Sequence, residues 1–164
     1  MSLQEIEVRW DKWNLRFLRL AREVSTWSKD PSTQVGACIV DQNRRVISVG
    51  FNGLPRAIPD SDRILNDREE KYEHIIHAEI NALLFAQDRP LSSARIYTYP
   101  FPPCSRCAAV IIQAGIRSVV AVTPSAELRE RWADSLNRAQ AMFDAARVDV
   151  ALYKPEWLDG DMFS

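Results

Sequence analysis

The chain has 164 residues, 46% of them hydrophobic, and 21 Lys and Arg against 22 Asp and Glu leave a formal charge of −1. That length fits one domain over 1–164, able to bury about 68–70% of the surface its unfolded form exposes, and the charge balance gives no general reason to bind a polyanion such as tRNA or DNA. A small-molecule substrate is favoured; with no apolar signal core in the opening MSLQEIEVRW and no run near the ~20 apolar residues of a membrane span, the cytoplasm is the expected compartment.

In chain order, Trp10, Trp13, Phe17, Leu20, Ala21, Val24 and Trp27 recur at three- and four-residue steps and predict an amphipathic helix with its Trp-bearing stripe in the core. Asp30-Pro31 ends it, because the residue before Pro is pushed out of the helical region. Val35 to Val40 reads as a buried strand holding Cys38 as a small hydrophobe, and Val46 to Phe51 as its antiparallel partner after a turn. Residues 52–76 lack convincing periodicity, the mark of a functional or disordered loop. A short helix is expected around Asp62 to Lys71, with its charges on a solvated face. Helices at His77 to Gln87, Cys104 to Ala114 and Ser125 to Ala146 then alternate with strands at Arg95 to Tyr99, Arg117 to Val122 and Val148 to Leu152. Strand-helix-strand units imply parallel pairing with right-handed crossovers. The expected fold is α/β: a three-layer α/β/α sandwich around a mixed five-stranded sheet, with a core over about 10–152 and a tail over 153–164.

The chemistry concentrates in His77-Ala78-Glu79 and Pro103-Cys104-Ser105-Arg106-Cys107. His77, Cys104 and Cys107 make a His/Cys/Cys ligand set for Zn²⁺; three protein ligands leave the fourth tetrahedral position for water, as catalytic sites do. Only two histidines and three cysteines occur in the chain, so few other soft metal sites can be built. The competing reading of Cys104 and Cys107 is a thioredoxin-like redox pair. Both motifs fall at helix N-termini, whose partial positive charge lowers thiol pKa values and favours an anionic oxygen. Glu79 would move protons for the attacking water and the leaving amine; alternatively it is a first-turn carboxylate complementing the helix dipole. His74, the one other histidine, is expected near the pocket rim and not on the metal. The pattern His-x-Glu followed by Pro-Cys-x-x-Cys is the signature of zinc nucleobase deaminases.

Beyond that signature, SKDPSTQVGACIV (Ser28 to Val40), GFNGLP (Gly50 to Pro55), KYEHIIHAEINAL (Lys71 to Leu83) and PCSRCAAVIIQAGI (Pro103 to Ile116) occur in that order. Over roughly residues 10 to 152 the chain resembles the deoxycytidylate (dCMP) deaminases of the cytidine-deaminase-like superfamily. The resemblance implies hydrolysis of dCMP to dUMP and ammonia in a homo-oligomer that, in some members, is activated by dCTP and inhibited by dTTP. It implies zinc on His77, Cys104 and Cys107, Glu79 as proton shuttle, and the Ala78 N–H on the base carbonyl. Asn52 looks like a contact to the nucleotide sugar, although Asn-Gly is also a strong turn dipeptide. Ser28 and Lys29 are candidate phosphate contacts. Two positions depart from the family pattern. Pro100 stands where Thr is usual, which removes an N–H donor and should reshape the base-pocket wall, and Trp27 stands where Arg is common. The tail, with Trp157 and Phe163, is a candidate to pack on a neighbouring subunit. The rival readings are a deaminase of another free base or nucleotide, a tRNA-adenosine deaminase, which would need a basic and aromatic surface, and a zinc-stabilised binding module, which would not need Glu79.

Overall fold

A computed structural model describes the backbone of residues 3–160 and the side chains of residues 11–160. Helix α1 (Leu3–Ser25) leads into the hairpin β1 (Gly36–Val40) and β2 (Val46–Phe51). Two short helices, α2 (Asp62–Asn66) and α3 (Arg68–His74), precede α4 (Ala78–Ala86), β3 (Arg95–Tyr99), α5 (Ser105–Gln113), β4 (Ser118–Val122), α6 (Ala126–Ala145) and β5 (Asp149–Tyr153). The sheet runs β2-β1-β3-β4-β5; β1 is antiparallel to both neighbours, and β3, β4 and β5 are parallel. The mixed five-stranded sheet expected from the sequence is therefore present.

Successive side chains on a strand point to opposite faces, and β1 shows the division. Ala37 and Ile39 join a core with α4, α5 and α6, whereas Cys38 and Val40 join a core with α1. All four are fully buried, as a central strand covered on both faces requires. Two glycines set how closely helices approach. A Cβ on Gly36 would lie 2.0 Å from the Ala21 carbonyl oxygen of α1, and one on Gly50 would lie 2.3 Å from the Ala78 carbonyl oxygen of α4.

Several expectations are revised. Helix α1 ends at Ser25, five residues before Asp30, and its buried face is broader than the Trp stripe: Leu15, Leu18 and Asn14 are buried while Trp27 is exposed beyond the helix end. A helix lying flat on a sheet buries more than one row of side chains. The Trp10 side chain lies outside the described residues. The single helix expected around Asp62 to Lys71 is two helices, because Asp67 leaves the helical region (φ −91, ψ 113) to end α2 while its carboxylate caps the Glu70 N–H of α3. The tail turns back onto its own chain: a 3-10 helix at Pro155–Leu158 buries Leu158, and Arg19 of α1 donates to the carbonyls of Leu158 (2.6 Å) and Gly160 (2.8 Å). Phe163 lies outside the described residues. Among the described residues, no helix is long and apolar enough to cross a membrane.

Candidate active site

The register gathers the functional segments at one end of the sheet. Gly36 at the start of β1 pairs with Phe51 at the end of β2 and with Tyr99 at the end of β3, and Thr98 pairs with Ala121 of β4. The chain leaving β2 reaches Asn52, the chain leaving β3 reaches Phe101 and Cys104, and the chain leaving β4 starts α6. An antiparallel bridge between Gly53 and Ile76 carries the segment before α4 to the same edge. A cavity of about 500 Å³ opens there, within the range of small-ligand pockets.

His77 and Cys104 hold the N-cap positions of α4 and α5. These positions usually go to Ser, Thr, Asp or Asn, whose side chains bond back to the helix. Here neither side chain caps its helix, which leaves both free to face each other. His77 Nδ1 lies 3.4 Å from Cys104 Sγ and 3.4 Å from Cys107 Sγ, and the donor atoms of the three residues lie within 4.8 Å of one another. Tetrahedral zinc with bonds of about 2.3 Å to sulfur and 2.05 Å to nitrogen would set S···N near 3.6 Å. The donor set therefore fits that ion in both chemistry and spacing.

Hydrogen bonding from Cys107, and then from His77, holds the Cys104 thiol down at about 4 from its ordinary 9.0. The same bonds push His77 up, through its partner Cys104, and Cys107 up as the donor to Cys104. One thiolate is thus ready-made. Glu79, in the first turn of α4, is 3% exposed. Burial raises its carboxyl pKa, with the negative Cys104 adding to the shift. Its Oε2 accepts from Cys107 Sγ at 3.5 Å, so a buried carboxyl sits beside the candidate ligand set. A dipole-complementing Glu on the solvent side of the helix would be exposed, and this one is not.

Ala78 is fully buried and lines the cavity; as the first helical residue its N–H has no acceptor within the helix. Asn52 also lines the cavity, but its amide is engaged: Oδ1 accepts from the Val35 N–H (2.8 Å), and Nδ2 donates to the Thr33 carbonyl (2.9 Å) and to Asp30 Oδ2 (3.3 Å). Ser28 is buried behind it and donates to the Asn52 carbonyl at 2.8 Å. Lys29 is on the surface, 2.8 Å from Asp60. Ser28 and Lys29 are not among the residues lining the cavity. His74 ends α3 with Nδ1 2.7 Å from the Glu70 carbonyl, away from the ligand set. Pro100 follows a cis peptide bond, and the wall it was expected to shape is built by Phe101, stacked on Trp132 of α6 with centroids 5.9 Å apart.

Sequence reasoning assigned no role to Asp30, Lys71, Arg131 or Trp132, all of which line the cavity. Asp30 and Lys71 stand inside the quoted blocks and form a buried ion pair at 3.0 Å, each side chain 7% exposed. Arg131 and Trp132 sit in a long helix with no motif, and only the packing of α6 against α5 and β5 reveals them. Trp132 Nε1 is buried without a hydrogen-bond partner among the described residues.

The model of the cytidine and deoxycytidylate deaminase zinc-binding region matches residues 11–123. The chain belongs to this deaminase family. It is 44% identical over 151 residues to an uncharacterised deaminase from the luxG 3′ region of Aliivibrio fischeri, covering 92% of this chain and 97% of that one. It is 32% identical over 152 residues to the human deoxycytidylate deaminase, covering 88% and 82% respectively. Among solved structures, the cyanophage S-TIM5 dCMP deaminase in complex with dCMP and dUMP superposes with a TM-score of 0.64 at 21% identity, over 93% of this chain and 99% of that one. That likeness supports the cytidine-deaminase-like fold. As a member of this deaminase family the protein is an enzyme, a zinc-dependent hydrolase, and the matched region is the family's zinc-binding one.

Proposed function

We propose that the protein hydrolyses the exocyclic amine of a cytosine nucleotide, converting dCMP to dUMP and ammonia, with zinc on His77, Cys104 and Cys107 and with Glu79 as the proton carrier. The observation that carries this reading is the juxtaposition of the three-donor set with a buried carboxylate, with His77, Cys104 and Glu79 lining one cavity. The choice of dCMP is supported by relatives bearing the name deoxycytidylate deaminase at 31–32% identity. Zinc bound there supplies Lewis-acid activation of water at neutral pH.

The protein's own part is positioning and proton transfer. Glu79 accepts a proton from the attacking water and delivers it to the ring nitrogen beside the amine. It then takes the remaining proton from the hydroxyl on the attacked carbon and passes it to the amine, which leaves as ammonia as the carbonyl forms. The Ala78 N–H orients the base through its carbonyl, and Phe101 offers an aromatic face near the donor set. Asn52 forms part of the wall beside the sugar while fixing the 30–35 loop through its three bonds; Ser28 is a positioning residue for Asn52. A Lys29 contact to phosphate would require it to leave Asp60. The same reading implies a homo-oligomer, for which the exposed Phe51, Leu84 and Phe85 on β2 and α4 offer an apolar face, and it leaves dCTP and dTTP as candidate effectors.

The test is an ammonia-release screen of the zinc-loaded protein against dCMP, CMP, dCTP, cytidine, cytosine, guanine and a tRNA. Turnover is expected to be highest with dCMP. Turnover of another amine with none of the cytosine compounds would overturn the substrate assignment. Sigmoidal dCMP dependence relieved by dCTP in the same assay would show that effector control operates.

A further inference from the structure

Two sequence readings of Cys104 and Cys107, metal ligands and a redox pair, exclude each other only while zinc is bound. The backbone suits both. Cys104 holds the N-cap of α5 and Cys107 lies in its first turn, which is already helical, since the Ala108 N–H donates to the Cys104 carbonyl at 2.8 Å. Residues three apart on a helix have Cα atoms about 5 Å apart, inside the range of about 4.4–6.8 Å that disulfides span. His77 Nδ1, 3.4 Å from each sulfur, keeps both on one side of the helix start, with the three donor atoms within 4.8 Å of one another. Rotation of the two side chains closes the sulfurs to the ~2.05 Å of a disulfide and leaves the backbone where it is.

The two cysteines differ in access. Cys104 lines the cavity and is 5% exposed, whereas Cys107 is fully buried and is not among the lining residues. A small oxidant that enters the cavity reaches Cys104 and finds Cys107 behind it. Cys38, the one other cysteine in the chain, belongs to the core on the α1 side of the sheet, while Cys104 and Cys107 belong to the core on the opposite side. The sheet separates it from the pair, so within one chain the only pairing the fold permits is Cys104 with Cys107.

We propose that Cys104 and Cys107 are a site of reversible oxidation: in the zinc-free enzyme, hydrogen peroxide joins them in a disulfide that keeps zinc out until a dithiol reduces it. This rests on the reading of both residues as zinc ligands. The Cys104 sulfur, having lost its proton, attacks one peroxide oxygen; the S–O bond forms as the O–O bond breaks, and the departing hydroxide takes up that proton as water. The Cys107 sulfur then attacks the sulfur of the Cys104 sulfenic acid. The S–S bond forms, the S–O bond breaks, and the hydroxyl leaves with the Cys107 proton as a second water. Two sulfurs are oxidised and two peroxide oxygens reduced. Of the three donors only His77 then remains, too few to hold zinc, and exchange with a dithiol returns both thiols.

The test treats chelator-stripped protein with hydrogen peroxide and follows intact mass, disulfide peptides and zinc uptake. Expected are the loss of two hydrogens, a peptide cross-linked through Cys104 and Cys107, an unmodified Cys38, and at least a tenfold fall in zinc uptake that dithiothreitol reverses. Sulfinic acid in place of the disulfide, a cross-link to Cys38 or to a second chain, or zinc uptake within twofold of the reduced protein would overturn the proposal. If stripping unfolds the chain, the zinc-loaded protein serves: as zinc dissociates and peroxide pairs the freed thiols, zinc release should keep step with disulfide formation, and a disulfide formed with zinc retained would overturn the proposal. Two variants test the order of attack without the metal. Cys107→Ser should hold Cys104 as a sulfenic acid that dimedone labels, and Cys104→Ser should be labelled at Cys107 at least tenfold less; equal labelling in the folded variants would overturn Cys104 as the attacking sulfur. Failure of the ligand set shows separately, as reduced protein that binds no zinc, whereas failure of the proposal shows as zinc-binding thiols that peroxide does not pair.

Discussion

At the scale of single residues, Glu79 and Cys38 show how environment assigns a role to an ionisable group. Glu79 is buried beside two thiols, and burial raises its pKa; Glu79→Gln preserves the shape and removes the proposed proton carrier. This variant should keep its zinc content, measured by elemental analysis, and lose roughly 10²–10⁴-fold in turnover. A loss below tenfold would contradict the assignment. Cys38 differs from Cys104, whose pKa is lowered by hydrogen bonds although it too is buried. It is fully buried in β1, and burial pushes its thiol up to about 12, so its thiolate fraction at pH 8 is on the order of 10⁻⁴. Iodoacetamide at that pH should therefore leave Cys38 unmodified in the native protein and alkylate it in urea, as read by peptide mass mapping. Equal rates in the two states would show that the thiol is not buried.

Among elements, α4 and α5 do the most, since each places a ligand at its N-cap and the next reactive group within its first turn. The approach of α4 to β2 is set by close backbone contact at Gly50. A Cβ at position 50 would come 2.3 Å from the Ala78 carbonyl oxygen and 2.4 Å from the Ala82 N, and neither backbone atom can swing aside. Gly50→Ala should push α4 off β2, cost about 1–3 kcal/mol of stability, and lower turnover because His77 and Glu79 ride on that helix. Urea denaturation and the ammonia assay measure the two effects; a variant as stable and active as wild type would mean that α4 sits further from β2. The same elements show what a sequence makes legible. Strands β2 and β3 were readable to the residue, and α4 and α5 to within one residue at each end, because strong apolar runs and motif residues mark them. The division of α2 from α3 was not, because in a mixed-charge run the decision rests on one capping aspartate.

Across the whole molecule, the two cores on either side of the sheet differ in chemistry. The α1 side contains Cys38, Tyr97 and Tyr153, with both tyrosine hydroxyls bonded to Asn14. Burial raises all three pKa values, Cys38 and Tyr153 to about 12 from 9.0 and 10.0. A group whose pKa is raised on folding binds its proton more tightly in the native state. Its contribution is complete below the unfolded-state pKa and is lost as pH rises towards the folded-state value. Stability should therefore decline from about pH 9 upward, seen as a falling urea midpoint between pH 8.5 and 11. A midpoint that stays flat or rises over that interval would contradict the burial of these groups.

What the sequence picked out by itself was the candidate reaction centre and the layer order. His77, Glu79, Cys104 and Cys107 are recognisable because metal ligation and proton transfer restrict residue type and local spacing, and alternating strand and helix patterns restrict topology. Tertiary structure decided what surrounds that centre. The Lys71–Asp30 pair, the Asn52 bonds across the 30–35 loop, and the arrival of Arg131 and Trp132 from α6 join residues up to 98 positions apart. No local pattern encodes them, because which side of a helix faces a cavity depends on how the helix packs on the sheet.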